Sequence, residues 1–188
     1  MNTDKIIVGQ RIRIRAISLR DCTQNYVDWL NDNEVNQYLE TRWVKQDLQS
    51  VKEFVISQMN SEYSFLFAIE LNDTGRHIGN IKIGPINKRY SHADISYFIG
   101  DKSMWNTGIA TEAISLVIRF GFETLQLHRI EAGAYAAAVG SWKALEHNGF
   151  MRESVFREQV ISGGKYMDVY RYGLLETEYN LNNKERIK

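Results

Sequence analysis

The stretch Trp105-Asn106-Thr107-Gly108-Ile109-Ala110-Thr111-Glu112-Ala113 constrains this chain more than any other segment. It follows an apolar, strand-like run at 95–99 and opens a pattern of helical period. A tight turn around a glycine that leads straight into a helix aims several unpaired backbone N–H groups at one spot. The helix dipole adds partial positive charge there, so such a turn holds a pyrophosphate without any lysine. Gly108 and Ala110 matter because they let a ligand approach the backbone. The plainer alternative is a strand-to-helix turn that needs one glycine, and the surrounding sequence has to decide between them.

Residues 11–17 (Arg-Ile-Arg-Ile-Arg-Ala-Ile) alternate strictly and predict a first strand, one face apolar and the other basic and solvated. Ser18 with Asp21 three residues on predicts a capped helix start, and Tyr26, Trp29 and Leu30 give that helix its apolar stripe. A second helix is expected at 48–60, with Val51, Phe54, Val55 and Met59 at helical spacing. Residues 64–71 and 77–86 form a hairpin around Asn72-Asp73-Thr74-Gly75, and a strand at 94–99 precedes the glycine turn. The long helix at 108–125 carries a small-to-apolar stripe (Ala110, Ala113, Ile114, Val117, Gly121) suited to lying on a sheet. A strand at 129–135, a helix at 139–148 ended by Gly149, and a hairpin of 150–160 with 167–175 complete the pattern. Beyond Glu178 the chain is polar and expected to fray. Hairpins mixed with two crossovers mean a mixed α/β sheet in one domain spanning 1–188, its core at about 10–175.

Composition removes several functions. The 188 residues carry 23 basic and 23 acidic side chains, so the basic surplus of a nucleic-acid binder is missing. The lone Cys22 rules out an internal disulfide, and four scattered histidines show no metal-ligand spacing, so no metal is expected. No charged-then-apolar leader opens the chain, and no apolar run approaches the ~18 residues of a membrane helix. A cytoplasmic protein without membrane or nucleic-acid partners is the expectation.

The element order, with a phosphate turn after the fourth predicted strand, resembles the GNAT superfamily of acetyl-CoA-dependent N-acetyltransferases. That family's signature, Gln/Arg-x-x-Gly-x-Gly/Ala, falls on Trp105–Ala110. Tryptophan in the first place is similar to the branch holding the Rim-type ribosomal-protein N-terminal acetyltransferases. So is the block His128-Arg129-Ile130-Glu131-Ala132, Ser141 and Leu145-Glu146-His147-Asn148-Gly149-Phe150. A third block, Arg13-Ile14-Arg15, Asp21, Trp29-Leu30-Asn31-Asp32 and Glu34-Val35, follows the same order. The resemblance implies a central, mostly antiparallel sheet of about seven strands flanked by about four helices, splayed between strands 4 and 5. Two departures stand out: the block's asparagine falls on Ala138, and the tyrosine that many members use as general acid falls on Leu145.

By this resemblance the co-substrate is acetyl-CoA, gripped by the amides of Asn106, Thr107, Gly108, Ile109, Ala110 and Thr111 and by the strand edge at 95–99. A backbone N–H of Phe98 or Ile99 would face the thioester oxygen and stabilise the oxyanion. Asp94 is the first candidate for general base, with Glu40 and Asp32 as competitors; the alternative is a strand-edge surface carboxylate. Ser141 is the best polar group for the departing thiolate, or else a helix-start residue satisfying backbone donors. Lys143 would meet the nucleotide 3′-phosphate, or is simply exposed. Trp29, Tyr38, Glu40 and Arg42, with Trp43 and Tyr63 nearby, bring aromatic and charged character to the region covering the acceptor site. The segment from Trp29 to Glu40 also looks like acetyltransferases of polysaccharide clusters. A nucleotide-linked amino sugar or another small amine is therefore the expected acceptor, with a protein N-terminus as the alternative. A non-catalytic acyl-CoA-binding module is the reading from another class. Whether the chain forms a homodimer stays open.

Overall fold

The computed structural model describes residues 6–186. Eight strands form one sheet in the order β1-β2-β3-β4-β5-β6-β8-β7. They are β1 (Ile6–Val8), β2 (Ile12–Ala16), β3 (Phe65–Leu71), β4 (His77–Asn87), β5 (His92–Ile99), β6 (Arg129–Tyr135), β7 (Met151–Ser162) and β8 (Lys165–Leu175). The strand beyond the expected seven is β1, whose three apolar residues are too few to show a period. Every neighbouring pair is antiparallel except β5 and β6. Those two run parallel and pair only from His92–Ile95 against Arg129–Ala132, after which they part. The splay lies where the family resemblance puts it.

The two sheet faces are built differently. Ile12, Ile14, Phe67, Ile69, Ile81, Ile83, Ile95 and Ile130 pack beneath helix α4 (Ile109–Arg119), whose Ala113, Ile114 and Val117 are fully buried. The predicted 108–125 helix ends earlier than expected and continues as a wider π-helical turn, Phe120–Thr124. That turn sets the Phe120 ring edge-on to Phe65 and Phe67, each 5.2 Å away. It also presses Gly121 against the sheet, where an added Cβ would lie 2.7 Å from Ile130 Cδ1. The opposite face is covered by α1 (Gln24–Asn31), α2 (Asn33–Asn36) and α3 (Leu48–Met59), around Ile17, Tyr26, Trp29, Val51, Val55, Leu66 and Ala68.

Three local expectations are corrected. Asp21 does accept the Ser18 N–H, at 2.8 Å, but this closes a single 3-10 turn, and α1 starts only after Thr23. The reason is that Arg15 draws the Asp21 carboxylate inward, with contacts of 2.5 and 2.8 Å. The basic face of β2 is likewise not solvated: Arg15 and Arg13 both bond the buried Glu70 of β3. The tail forms α6 (Glu176–Arg186) instead of fraying at Glu178. Glu178 caps its start by accepting the Leu175 N–H at 2.8 Å, and Tyr179 stacks on Phe122 with 4.9 Å between ring centres.

The Arg15 cluster titrates in a defined direction. Burial pulls the Asp21 carboxyl upward, but hydrogen bonds from Arg15 and the Ser18 N–H outweigh it, and the group lies below its ordinary value. Glu70 is depressed the same way, by Arg15 and Arg13 against burial. Groups lowered on folding stabilise the protein above their ordinary value of about 4, and that contribution is lost as pH falls through the native values. Arg15→Met leaves the buried Asp21 carboxylate without its cation and Glu70 with the Arg13 hydrogen bond alone, and is expected to cost roughly 3–5 kcal/mol at neutral pH. Urea denaturation at a series of pH values checks this: the deficit should shrink below about pH 4, where the carboxyls are neutral.

Candidate active site

A cleft of about 1930 Å³ follows the splay between β5 and β6, and the start of α4 walls one end. The glycine turn is held from outside. The Trp105 indole N–H donates to Ile99 O at 2.8 Å, Thr107 Oγ1 to Met104 O at 2.6 Å, and Arg11 Nη1 to Thr107 O at 2.6 Å. Glu112 accepts the Arg11 N–H at 2.8 Å, which anchors α4 to the chain before β2. Gly108 has φ +84° and Asn106 φ +58°, both left-handed, so the turn suits residues that tolerate that region. No acceptor among the described residues takes the amides from Asn106 to Thr111. Of these, Asn106, Gly108, Ile109, Ala110 and Thr111 line the cleft, whereas Thr107 does not. Asn148 donates to Thr111 O at 3.0 Å and to Ala144 O at 2.8 Å, tying the turn to α5 (Val139–His147).

Phe98 and Ile99 line the cleft beyond the last β5–β6 pairing. Ser141 lies in the first turn of α5 but makes no capping bond there. Its Oγ lies 2.8 Å and its carbonyl 2.9 Å from the Tyr97 hydroxyl. Tyr97 lines the cleft too, and burial pushes its phenol up to about 12, so it stays protonated. Sequence reasoning missed Tyr97, because it sits in an apolar strand and nothing local marks its partner 44 residues on. Lys143 lines the cleft with its ammonium 5.8 Å from the Trp142 ring centre. Leu145 is fully buried.

The candidates for base and acceptor contacts separate. Asp94 lies outside the cleft lining, its Oδ2 2.9 Å from Arg171 of β8. Burial raises its carboxyl above the ordinary value despite that arginine. Asp32 caps α2 and pairs with Lys102 at 2.8 Å. Trp29 is buried core, its ring 5.1 Å edge-on from His77, and does not line the cleft. Glu40 does face the cleft, accepting hydrogen bonds from the Tyr135 hydroxyl and, at 3.3 Å, from the Trp43 indole. Tyr38 lies edge-on to Tyr135 at 5.6 Å, and both rings line the cleft.

Arg42 works differently from expectation. Its guanidinium donates to Gln37 O at 2.8 Å, to Leu39 O at 3.4 Å, to Ile161 O at 2.8 Å and to Tyr135 Oη at 3.1 Å. It ties the loop at 37–42 to the β7–β8 hairpin and is not among the cleft-lining residues. Trp43 and Tyr63 are exposed and lie outside the cleft.

Comparison with known proteins agrees with the fold. The model of the acetyltransferase (GNAT) domain family matches residues 11–151. An uncharacterized N-acetyltransferase, p20, of Bacillus licheniformis is 29% identical, covering 90% of this chain and 96% of the relative. The crystal structure of spermidine N-acetyltransferase from Vibrio cholerae, in complex with CoA and spermine, has a TM-score of 0.83 at 20% identity, over 92% of this chain and 99% of that one. Mycobacterium smegmatis RimJ in complex with CoA-disulfide has a TM-score of 0.77 at 21% identity, over 93% and 86%.

Gly108→Val tests the turn. A β-branched residue at φ +84° is strained, and its Cβ would stand 3.2 Å from Arg11 Nη2 on the turn's outer brace. Isothermal titration should show coenzyme A affinity weakened by about tenfold or more. Unaltered affinity would contradict the role given to these amides.

Proposed function

The chain belongs to the GNAT acetyltransferase family, and from that premise we propose that it moves the acetyl group of acetyl-CoA to the primary amine of a compact molecule, by direct attack in a ternary complex. The carrying observation is that one cleft is lined by the free turn amides, the open edge of β5, Ser141 backed by Tyr97, and Glu40 bonded to Tyr135, whose ring meets Tyr38.

Acetyl-CoA supplies a thioester that the amine attacks and a thiolate that leaves. The amides of Asn106 and of 108–111 hold its pyrophosphate at the start of α4, where the dipole favours negative charge. A backbone N–H at Phe98 or Ile99 donates to the carbonyl oxygen as it gains charge, the kind of interaction with most influence in acyl transfer. At the other end, the Glu40 carboxylate and the faces of Tyr38 and Tyr135 receive an ammonium group. Glu40 takes over from Asp94 as the leading proton acceptor, since Asp94 is turned to Arg171. Ser141 Oγ–H hydrogen-bonds to the leaving thiolate, which is protonated from solvent as Glu40 takes up the proton the amine releases, and Tyr97 holds that hydroxyl in place. The missing tyrosine at Leu145 is thereby met by Ser141, one turn earlier in α5, paired with Tyr97 of β5.

The acceptor reading is narrowed by Arg42. The phosphates of a nucleotide-linked amino sugar would need free donors on this arginine, but both of its terminal nitrogens are spent on Gln37, Leu39, Ile161 and Tyr135. The same bonds join the loop at 37–42 to the β7–β8 hairpin, which favours a small amine over an extended peptide N-terminus.

A panel of small amines, amino-sugar nucleotides and N-terminal peptides, followed by thiol release, tests the reading. Small amines should be turned over best, and turnover of peptides alone would favour the N-terminal alternative. Glu40→Gln is expected to lower kcat about tenfold or more and to raise the amine KM, with the acetyl-CoA KM little changed. Ser141→Ala should lower kcat on the order of ten- to a hundredfold at unchanged coenzyme A affinity, and an unaltered kcat would leave the thiolate to water.

A further inference from the structure

Resting on the acetyl-transfer reading, we propose that the floor of the cleft on β4 and β5 binds a carboxylate through Lys82, Asn80 and Ser96, so that the acceptor is an amine that also carries a carboxylate. Strand alternation sets the direction of these side chains. Ile81 and Ile83 belong to the cluster under α4, so Asn80 and Lys82 face the opposite side, toward α1 and α3. In register, Asn80 stands beside Phe98 and Lys82 beside Ser96, and all four line the cleft.

Asn80 is 2% exposed, and its orientation follows from a chain of hydrogen bonds. His77 Nε2 lies 2.9 Å from Gly79 O and 2.9 Å from the Asn80 side chain. A backbone carbonyl only accepts, so Nε2 carries the proton, and the Asn80 atom facing it must be the acceptor Oδ1. The amide nitrogen is therefore turned the other way. Among the described residues it has no partner of good hydrogen-bond geometry, although the Tyr26 phenol lies beside it. A donor this buried is rarely left unmatched in a folded protein.

Lys82 is half-buried and makes no hydrogen bond or ion pair among the described residues. The acid whose titration it touches, Asp94, is held by Arg171. An ammonium, an amide N–H and a hydroxyl on one patch offer donors and a single positive charge. The other cations lining the cleft, Arg11 and Lys143, belong to the cofactor end. One charge with several donors matches a monoanionic carboxylate better than a dianionic phosphate. Glu40 on the β6 side of the same cleft supplies the opposite charge, so the two ends complement an amino acid in its zwitterionic form.

The test uses the full chain with saturating acetyl-CoA and thiol release as readout. Acceptors come in matched sets: glycine, β-alanine and 4-aminobutyrate, each with its methyl ester and its phosphonate analogue. In the best set the acid should exceed its ester about tenfold or more in kcat/KM, chiefly through KM. Lys82→Met should bring the acid-to-ester ratio close to one, and Lys82→Arg should restore part of it. Coenzyme A titration reports that each variant is folded. Esters equal to or better than acids, phosphonates better than acids, or a ratio that survives Lys82→Met would each overturn the proposal while leaving acetyl transfer standing. Absence of thiol release with every amine would overturn the acetyl-transfer reading, and this proposal with it.

Discussion

The parallel pairing of β5 with β6 stops after Ile95 and Ala132, and the functional architecture depends on that interruption. A continuous sheet would satisfy the backbone groups of 96–99 on both sides and leave no room for a ligand. Here β5 keeps β4 on one side through Ile99, while β6 turns toward α5. The open edge, the α4 N-terminus and the start of α5 then meet along one cleft. Strand pairing with the extended arm of a ligand is the natural use of such an edge. The edge is also bounded: Trp105 takes the Ile99 carbonyl, so the pairing surface ends where the phosphate turn begins.

The two faces of the sheet divide the work. The α4 side is almost wholly apolar and supplies the rigid support under the turn. The α1–α3 side carries the polar groups, from the Arg15–Asp21–Glu70 cluster through His77 and Asn80 to Lys82. Buried polar networks of this sort are tolerated when each member is matched, and the Arg15 cluster meets that condition. Asn80 does not: among the described residues its amide nitrogen has no partner of good geometry, only the Tyr26 phenol beside it, and it lies where the cleft lining passes over the sheet. The contrast between a satisfied network and one unsatisfied neighbour separates support from recognition.

Features set by local backbone physics were legible in the sequence. A glycine at the end of an apolar strand, before a small-residue helix, marks a left-handed turn, and Gly108 adopts one. Hairpins and most helices also follow from alternation and period. What stayed hidden depends on partners far apart in the chain. Glu40 and Tyr135 are 95 residues apart, and Asp94 and Arg171 are 77. The family resemblance made Asp94 the first candidate for a base, but a sequence position does not say which way a carboxylate points. Arg42 read as an acceptor contact because arginine on a loop has free donors by default, and the hairpin that occupies them is remote in sequence. The short β1 and the α6 helix carry too few apolar residues to show a period.

Amide hydrogen exchange on the full protein, with and without coenzyme A, tests most directly whether the splay is the binding edge. The account predicts slowed exchange at alternating amides of 96–99, those facing away from β4, together with 106–111, while β1–β3 stay unchanged. Slowing confined to the turn, with the β5 amides exchanging as in the free protein, would contradict it.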